Sequence, residues 1–189
     1  MSDPLAFLLQ RHSAPSRQLA EPAPTDAQLR RLLEAAIRVP DHGKLEPFRI
    51  LKLHGEAKLA LGERLAALAH KRDPQMSESK LEKERNRYRW APLVLVVIAR
   101  LATDSKVPPL EQQLTAGCVA YNLLLGAQAL GYGAQWLTGW AAHDKNAAAL
   151  LGLADNEQVI GFVHIGTPQI EVPDRERPSL DHVLSVWTA

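Results

Sequence analysis

A chain of 189 residues, 46% of them apolar, is long enough to bury one core, and it reads as a single domain over 1–189. Its 22 Lys and Arg against 21 Asp and Glu leave a net charge of +1, which excludes a general nucleic-acid binder, because that role needs a basic excess. The lone cysteine, Cys118, excludes an internal disulfide and a CxxC metal site, and no apolar run reaches the ~20 residues that span a bilayer.

The opening MSDPLAFLLQRH lacks a basic n-region and a small-residue cleavage site, so the expected compartment is the cytoplasm, whose reducing conditions suit a single thiol. Asp3 and Pro4 predict a helix start, with Leu5, Leu8 and Leu9 on one face and an end near Arg11-His12-Ser13. Residues 21–24 hold two prolines and are extended. Thr25 or Asp26 then caps a strong helix, with Leu29, Leu32, Leu33, Ala36 and Ile37 at helical spacing. The loop that follows, AAIRVPDHGKLEP over 35–47, sets Arg38, Asp41, His42 and Lys44 on a polar shelf.

A strand is expected over 47–53 and an alanine-rich helix over 55–71. The charged helix 77–89 carries Arg85, Arg87 and Arg89 beside Tyr88 and Trp90. It also carries Glu78, Glu82 and Glu84, so it reads as a solvated face rather than a nucleic-acid patch. LVLVVIA after Pro92 reads as a buried central strand. The longest helix, 110–130, is apolar on most faces, with Leu114, Cys118, Tyr121, Leu124 and Leu125. A chain of this size has little to cover it, which points to a subunit interface. Cys118 itself reads as a small core residue. Gly131 is the expected helix stop, 134–138 a short strand, His143-Asp144 the start of a helix to Leu151, and 159–165 a second buried strand. From Thr167 the tail reads as extended. The fold class is α+β, a sandwich with a small mixed sheet and helices on both faces.

There is no GxxxxGK[ST] loop, no GxGxxG after a strand and no GxSxG elbow. The seven histidines are scattered, and none has the spacing that aims two imidazoles at one metal. What remains is Arg11-His12-Ser13, Arg38, His42, the turn at 136–139, and Arg175 and Arg177. Guanidinium, imidazole, hydroxyl and glycine groups at the ends of apolar elements suit an anionic, planar, part-apolar ligand.

In these segments the chain resembles the FMN-dependent nitroreductases, and within them the small YdjA-like branch. The resemblance is carried by Arg11-His12-Ser13, the A-x-R-x-P-D-H block from Ala36 to His42 with Glu46-Pro47, WAPLVLVVIA, the AGC helix ending in GYGAQW-x-x-G, and VIGFVHIGTPQ. It implies an intertwined homodimer with two FMN sites at the interface. By position, Arg11, His12 and Ser13 would hold the flavin phosphate and ribityl chain, and Arg38 and His42 would arrive from the opposite subunit. Trp136, Leu137, Thr138 and Gly139 would line the isoalloxazine, with backbone groups near its reactive nitrogen. Arg177 would be a second phosphate ligand, with Arg175 in reserve, and 126–131 would lie near the nicotinamide cofactor.

The implied activity is an oxidoreductase that takes electrons from NADH or NADPH through FMN to a small-molecule acceptor, a nitroaromatic, quinone or related compound, by a ping-pong mechanism. No catalytic side chain, metal, nucleic acid or membrane is implied. The chain departs from the family at Pro15, where members often carry Lys or Arg, at Leu137, where relatives can carry a basic residue, and at Glu46, where Gln is usual. Two competing readings are an FMN carrier or sensor without turnover and a helical dimerisation protein with no cofactor.

Overall fold

The computed structural model describes residues 3–188. Among them lie five strands: β1 (Leu19–Ala20), β2 (Phe48–His54), β3 (Leu93–Arg100), β4 (Gly133–Leu137) and β5 (Glu157–Pro168). The helices are α1 (Ala6–Leu9), α2 (Asp26–Ala36), α3 (Glu56–Arg72), α4 (Glu78–Arg85), α5 (Pro109–Ala129), α6 (Lys145–Leu150) and α7 (Leu180–Val183).

The apolar run of β3 has a neighbour on each edge, β2 and β5, while β5 also takes β4 and, at its last residues, β1. Every pairing is antiparallel, so the sheet is not the mixed one expected from the sequence. Its strands are joined through long helical connections, which can return a chain in either direction, and apolar patterning carries no record of which.

Alternate residues of β3 feed two cores. Leu93, Leu95, Val97 and Ala99 pack with α2 and α5 through Leu29, Leu32, Ala116, Val119, Ala120 and Leu123. Val94, Val96 and Ile98 meet Leu61, Leu65, Tyr88 and Phe162 on the other face. A strand covered on both sides has no polar face, which is why its sequence does not alternate. Each such Val or Leu contributes about 1.5–3 kcal/mol by leaving water. Helices therefore lie on both faces of the sheet, as expected.

Pairing between β3 and β5 shifts register after Val97: Val97 faces Gly161 while Ile98 faces Val159, so Ile160 is left over as a bulge. The Ile160 carbonyl accepts a hydrogen bond from Trp136 Nε1 at 3.2 Å.

Local rules place the helices. Thr25 and Gln28 form a reciprocal capping box at the start of α2. Pro109 sits at the first position of α5. The seam Glu111, Thr115, Asn122 on α5 holds the loop after α2: Thr115 Oγ1 donates to the Pro40 carbonyl at 3.0 Å, and Asn122 Nδ2 to those of Ala36 and Arg38 at 3.2 and 3.4 Å. Beside that seam α5 presents an exposed apolar stripe, with Leu114 60% and Tyr121 41% accessible. Cys118 is exposed in the same stretch of helix, not a core residue as its apolar neighbours suggested.

α4 also departs from expectation. It ends at Arg85 rather than near Arg89, and the stretch 77–89 is not wholly a solvated face, because Leu81 and Glu84 in the helix and Tyr88 in the turn after it are buried. Gly131 ends the α5 region with φ of 82°, as a helix stop requires. Beyond Pro168 the chain is extended apart from α7, and its side chains are largely exposed. No helix among the described residues is long and apolar enough to cross a membrane.

Candidate functional site

The segment 11–17 runs along β4, opposite β5. Ala14 N–H donates to the Ala134 carbonyl at 3.0 Å, and Ser16 N–H to Gln135 Oε1 at 2.7 Å. The last turns of α5 fix the segment's start: the Gln128 side chain accepts from His12 N–H at 3.4 Å and donates to the Gln10 carbonyl at 3.2 Å. Arg11, His12 and Ser13 are thereby held at one end of β4, with Arg11 Nη1 donating to Ser13 Oγ at 3.4 Å.

The tail returns to this place. Arg177 Nη2 donates to the Arg11 carbonyl at 2.9 Å, and Arg175 and Arg177 line one cavity of about 240 Å³ with Arg11, His12, Ser13 and Asp174. Two of the sequence-predicted groups, far apart in the chain, are thus brought together. Three guanidinium groups, an imidazole and a hydroxyl outweigh the single Asp174 carboxylate. The Arg175 N–H and the Arg177 guanidinium hold that carboxyl below its ordinary range. The arrangement is a cationic cup suited to a phosphate or another multi-oxygen anion.

At the other end of β4, about 13 Å away at a strand's rise, Leu137 lines a smaller cavity of about 110 Å³ with Ser16, Arg17 and Arg87. Thr138 and Gly139 follow, both exposed, with Gly139 at φ 66°. Trp136 faces the opposite way. Its indole packs on the core beside α5, and a Cβ on Gly161 would sit 1.9 Å from its Nε1. Trp136 lines neither the Leu137 cavity nor the cup.

Arg38 and His42 line neither of these two cavities in the same chain. Arg38 opens on a separate depression of about 640 Å³, and His42 Nδ1 bonds Glu111 Oε2 at 2.7 Å. Glu111 and Gln128, which anchor the shelf and the cup, are about 25 Å apart along α5. The shelf holds two non-glycine residues in left-handed conformation, Lys44 at φ 52° and Glu46 at φ 48°. The Asp41 carboxylate holds the turn by accepting from Leu45 and Glu46 N–H at 3.1 and 2.9 Å.

Sequence reading named Gln128 only within 126–131, without its hold on His12, and missed Gln135. The two glutamines carry no motif, and only their place beside the 11–17 segment gives them a role.

A family model described as the nitroreductase family matches residues 8–167. Two relatives carry the name "Putative NAD(P)H nitroreductase". YdjA of Escherichia coli (strain K12) is 33% identical over 180 residues, covering 91% of this chain and 95% of the relative. The one from Haemophilus influenzae is 38% identical over 180 residues, covering 95% of each. Among solved structures, a nitroreductase-like family protein from Bacillus cereus superposes with a TM-score of 0.81 at 19% identity, over 98% of this chain and 96% of that one. A Desulfovibrio desulfuricans structure, described as a nitroreductase in complex with FMN, does so with 0.77 at 20% identity, over 100% of both.

Proposed function

The chain belongs to the nitroreductase family, and from that membership we propose that it is an FMN-dependent NAD(P)H oxidoreductase acting on a nitroaromatic, quinone or related acceptor. The observation that carries the reading is the cationic cup, where Arg11, His12, Ser13, Arg175 and Arg177 line one cavity at the start of β4. A second cavity at the end of β4 joins Leu137 to Arg17, Lys83 and Arg87. The phosphate of a mononucleotide needs such a cup, and its ring has the second cavity within reach.

In this reading Arg11, Ser13 and Arg177 grip the phosphate, with Arg175 and His12 beside them. Leu137, Thr138 and Gly139 border the ring, and the backbone past Trp136 offers it hydrogen-bonding groups. When bound, FMN would supply the chemistry of hydride and electron transfer between NADH or NADPH and the acceptor. The protein's part is to bind, orient and shield. Leu137 excludes water on one side, and no side chain is assigned as a general acid. Donor and acceptor would use one face in turn, so initial-rate lines run parallel.

The reading also includes a homodimer. The exposed Leu114–Tyr121 stripe of α5 adjoins the shelf that carries Arg38 and His42, so a second copy seated there would receive both residues near its own two cavities. The cytoplasm, where NADH and NADPH are at hand, is the compartment implied.

The test is a visible spectrum of the purified, dialysed protein, repeated anaerobically with NADPH and with NADH. A retained flavin band that bleaches is the expected result. A band that never bleaches would favour a flavin carrier, and no band even after FMN is added back would overturn the assignment.

A further inference from the structure

Beside the Leu137 cavity lies a part-buried ion pair that the reading above does not use. Glu84 is only 9% exposed. Its carboxylate accepts three N–H groups: Arg87 Nε on Oε2 at 2.8 Å, Arg87 Nη2 on Oε1, and Trp140 Nε1 on Oε2 at 2.9 Å. Trp140 directly follows Gly139, so one carboxylate ties the residues after α4 to the end of β4. The indole is fixed from elsewhere too, by the Arg72 guanidinium 4.9 Å from its ring centre, itself bonded to Asp144 at 3.1 Å.

Held this way, the Arg87 guanidinium lies against the β4 terminus. A Cβ on Gly139 would come within 2.9 Å of Arg87 Nη1, and Arg87 shares its cavity with Leu137 and two further cations, Arg17 and Lys83. Burying two opposite charges is costly, and an apolar pair of similar volume is often as stable. A pair retained there is better explained by what its cation faces than by stability alone.

We propose that Glu84 is a positioning residue of the cofactor site: it sets the Arg87 guanidinium beside Leu137 and Gly139 and offsets part of the positive charge a flavin ring meets there. The proposal rests on the FMN reading above. Reduction adds negative charge to a bound flavin. A cation at the ring therefore favours the reduced form and a nearby anion opposes it, more strongly in a site sheltered from water.

The test uses the full-length protein reconstituted with FMN, with two readouts: the flavin midpoint potential by dye equilibration and the FMN dissociation constant by fluorescence titration. Glu84→Gln keeps the size and an acceptor for Trp140 while removing the charge, and the potential rises. Arg87→Gln removes the cation, and the potential falls below the wild type. The double variant lies between the two single ones. Single variants that move the same way, or that leave the potential unmoved while FMN still binds, overturn the proposal, since a merely structural pair gives no opposite signs. Where Arg87→Gln fails to fold, Arg87→Lys keeps the charge without the two-pronged grip. FMN affinity then weakens at least threefold, and unchanged affinity and potential would overturn the proposal. Absence of flavin binding in the wild type would strike the functional reading itself, and this proposal with it, before any variant is made.

Discussion

Arg177 reaches back across the chain to donate a hydrogen bond to the main-chain oxygen of Arg11 at 2.9 Å, so the tail and the N-terminal arm close a single cup. Arg175 lines the same cavity, but its side chain has no comparable bond to the arm. Arg177→Ala is therefore expected to weaken FMN binding by about 1.5–3 kcal/mol, tenfold or more, as loss of a charged hydrogen-bonding group does. Arg175→Ala is expected to cost less. Titrating apoprotein with FMN and following its fluorescence ranks the two, and a larger loss at Arg175 would reverse the assignment.

The stripe on α5 leads to a second expectation. Leu114 is 60% exposed on a helix whose other face is buried in its own chain. Leu114→Asp puts a charge where a second copy is proposed to sit, and burying that charge unpaired is costly. Light scattering after size exclusion should find a dimer for the wild type and a monomer for the variant. Flavin content should fall in parallel, because Arg38 and His42 would no longer arrive from the partner. A wild type that runs as a monomer with full flavin occupancy would refute the shared site.

His164 is 1% exposed, and both its ring nitrogens lack a partner among the described residues. Burial pushes its imidazole down to about 4, with the positive charges of Lys58 and Arg87 adding to the effect. The unfolded chain, with an ordinary value near 6.5, binds a proton in this interval that the folded one refuses. Stability is thus complete above pH 6.5, falls as pH drops toward 4 by up to about 3 kcal/mol, and is level below that for this group. His164→Phe should abolish this part of the acid limb. Urea midpoints at pH 7 and pH 4.5 for both proteins measure it, and an equal drop in the variant would assign the effect to other groups.

Gly161 faces the Trp136 indole with no room for a methyl group, since a Cβ there would lie 1.9 Å from Nε1. Gly161→Ala must displace the ring, lose its bond to the Ile160 carbonyl and disturb β4. A cost of about 2–4 kcal/mol is expected, on the scale of overpacking plus one unmade buried bond. Thermal melts together with the near-ultraviolet circular dichroism of tryptophan would detect it. An unchanged spectrum would mean that the indole is not held as described.

Much of this architecture was legible in the residues. LVLVVIA read as a buried strand, and the helix start expected at Thr25 or Asp26 lies there, with Thr25 as the cap. Arg11-His12-Ser13 and the late arginines were legible as anion-binding types, although only the fold shows that they share one cavity. Other features were hidden for physical reasons. Strand direction is set by connections, not by patterning, so the antiparallel sheet read as mixed. β1 is two residues long, and its pairing with Thr167 and Pro168 depends on the far end of β5. Cys118 sits on a helix that is apolar on most faces, and periodicity cannot say which side the chain covers by itself. Glu84 looked solvated because charge dominates the composition around it.

The 11–17 segment lies where a further strand would otherwise add to β4, with Ala14 bonded to Ala134 and Ser16 to the Gln135 side chain. An uncovered strand edge is a template for joining another molecule. The arm that is proposed to grip the cofactor therefore also guards the sheet against self-association. Weakening it should cost more than affinity: protein stripped of ligand and loosened at Ala14 or Ser16 is expected to turn cloudy on standing, and added FMN to keep it clear.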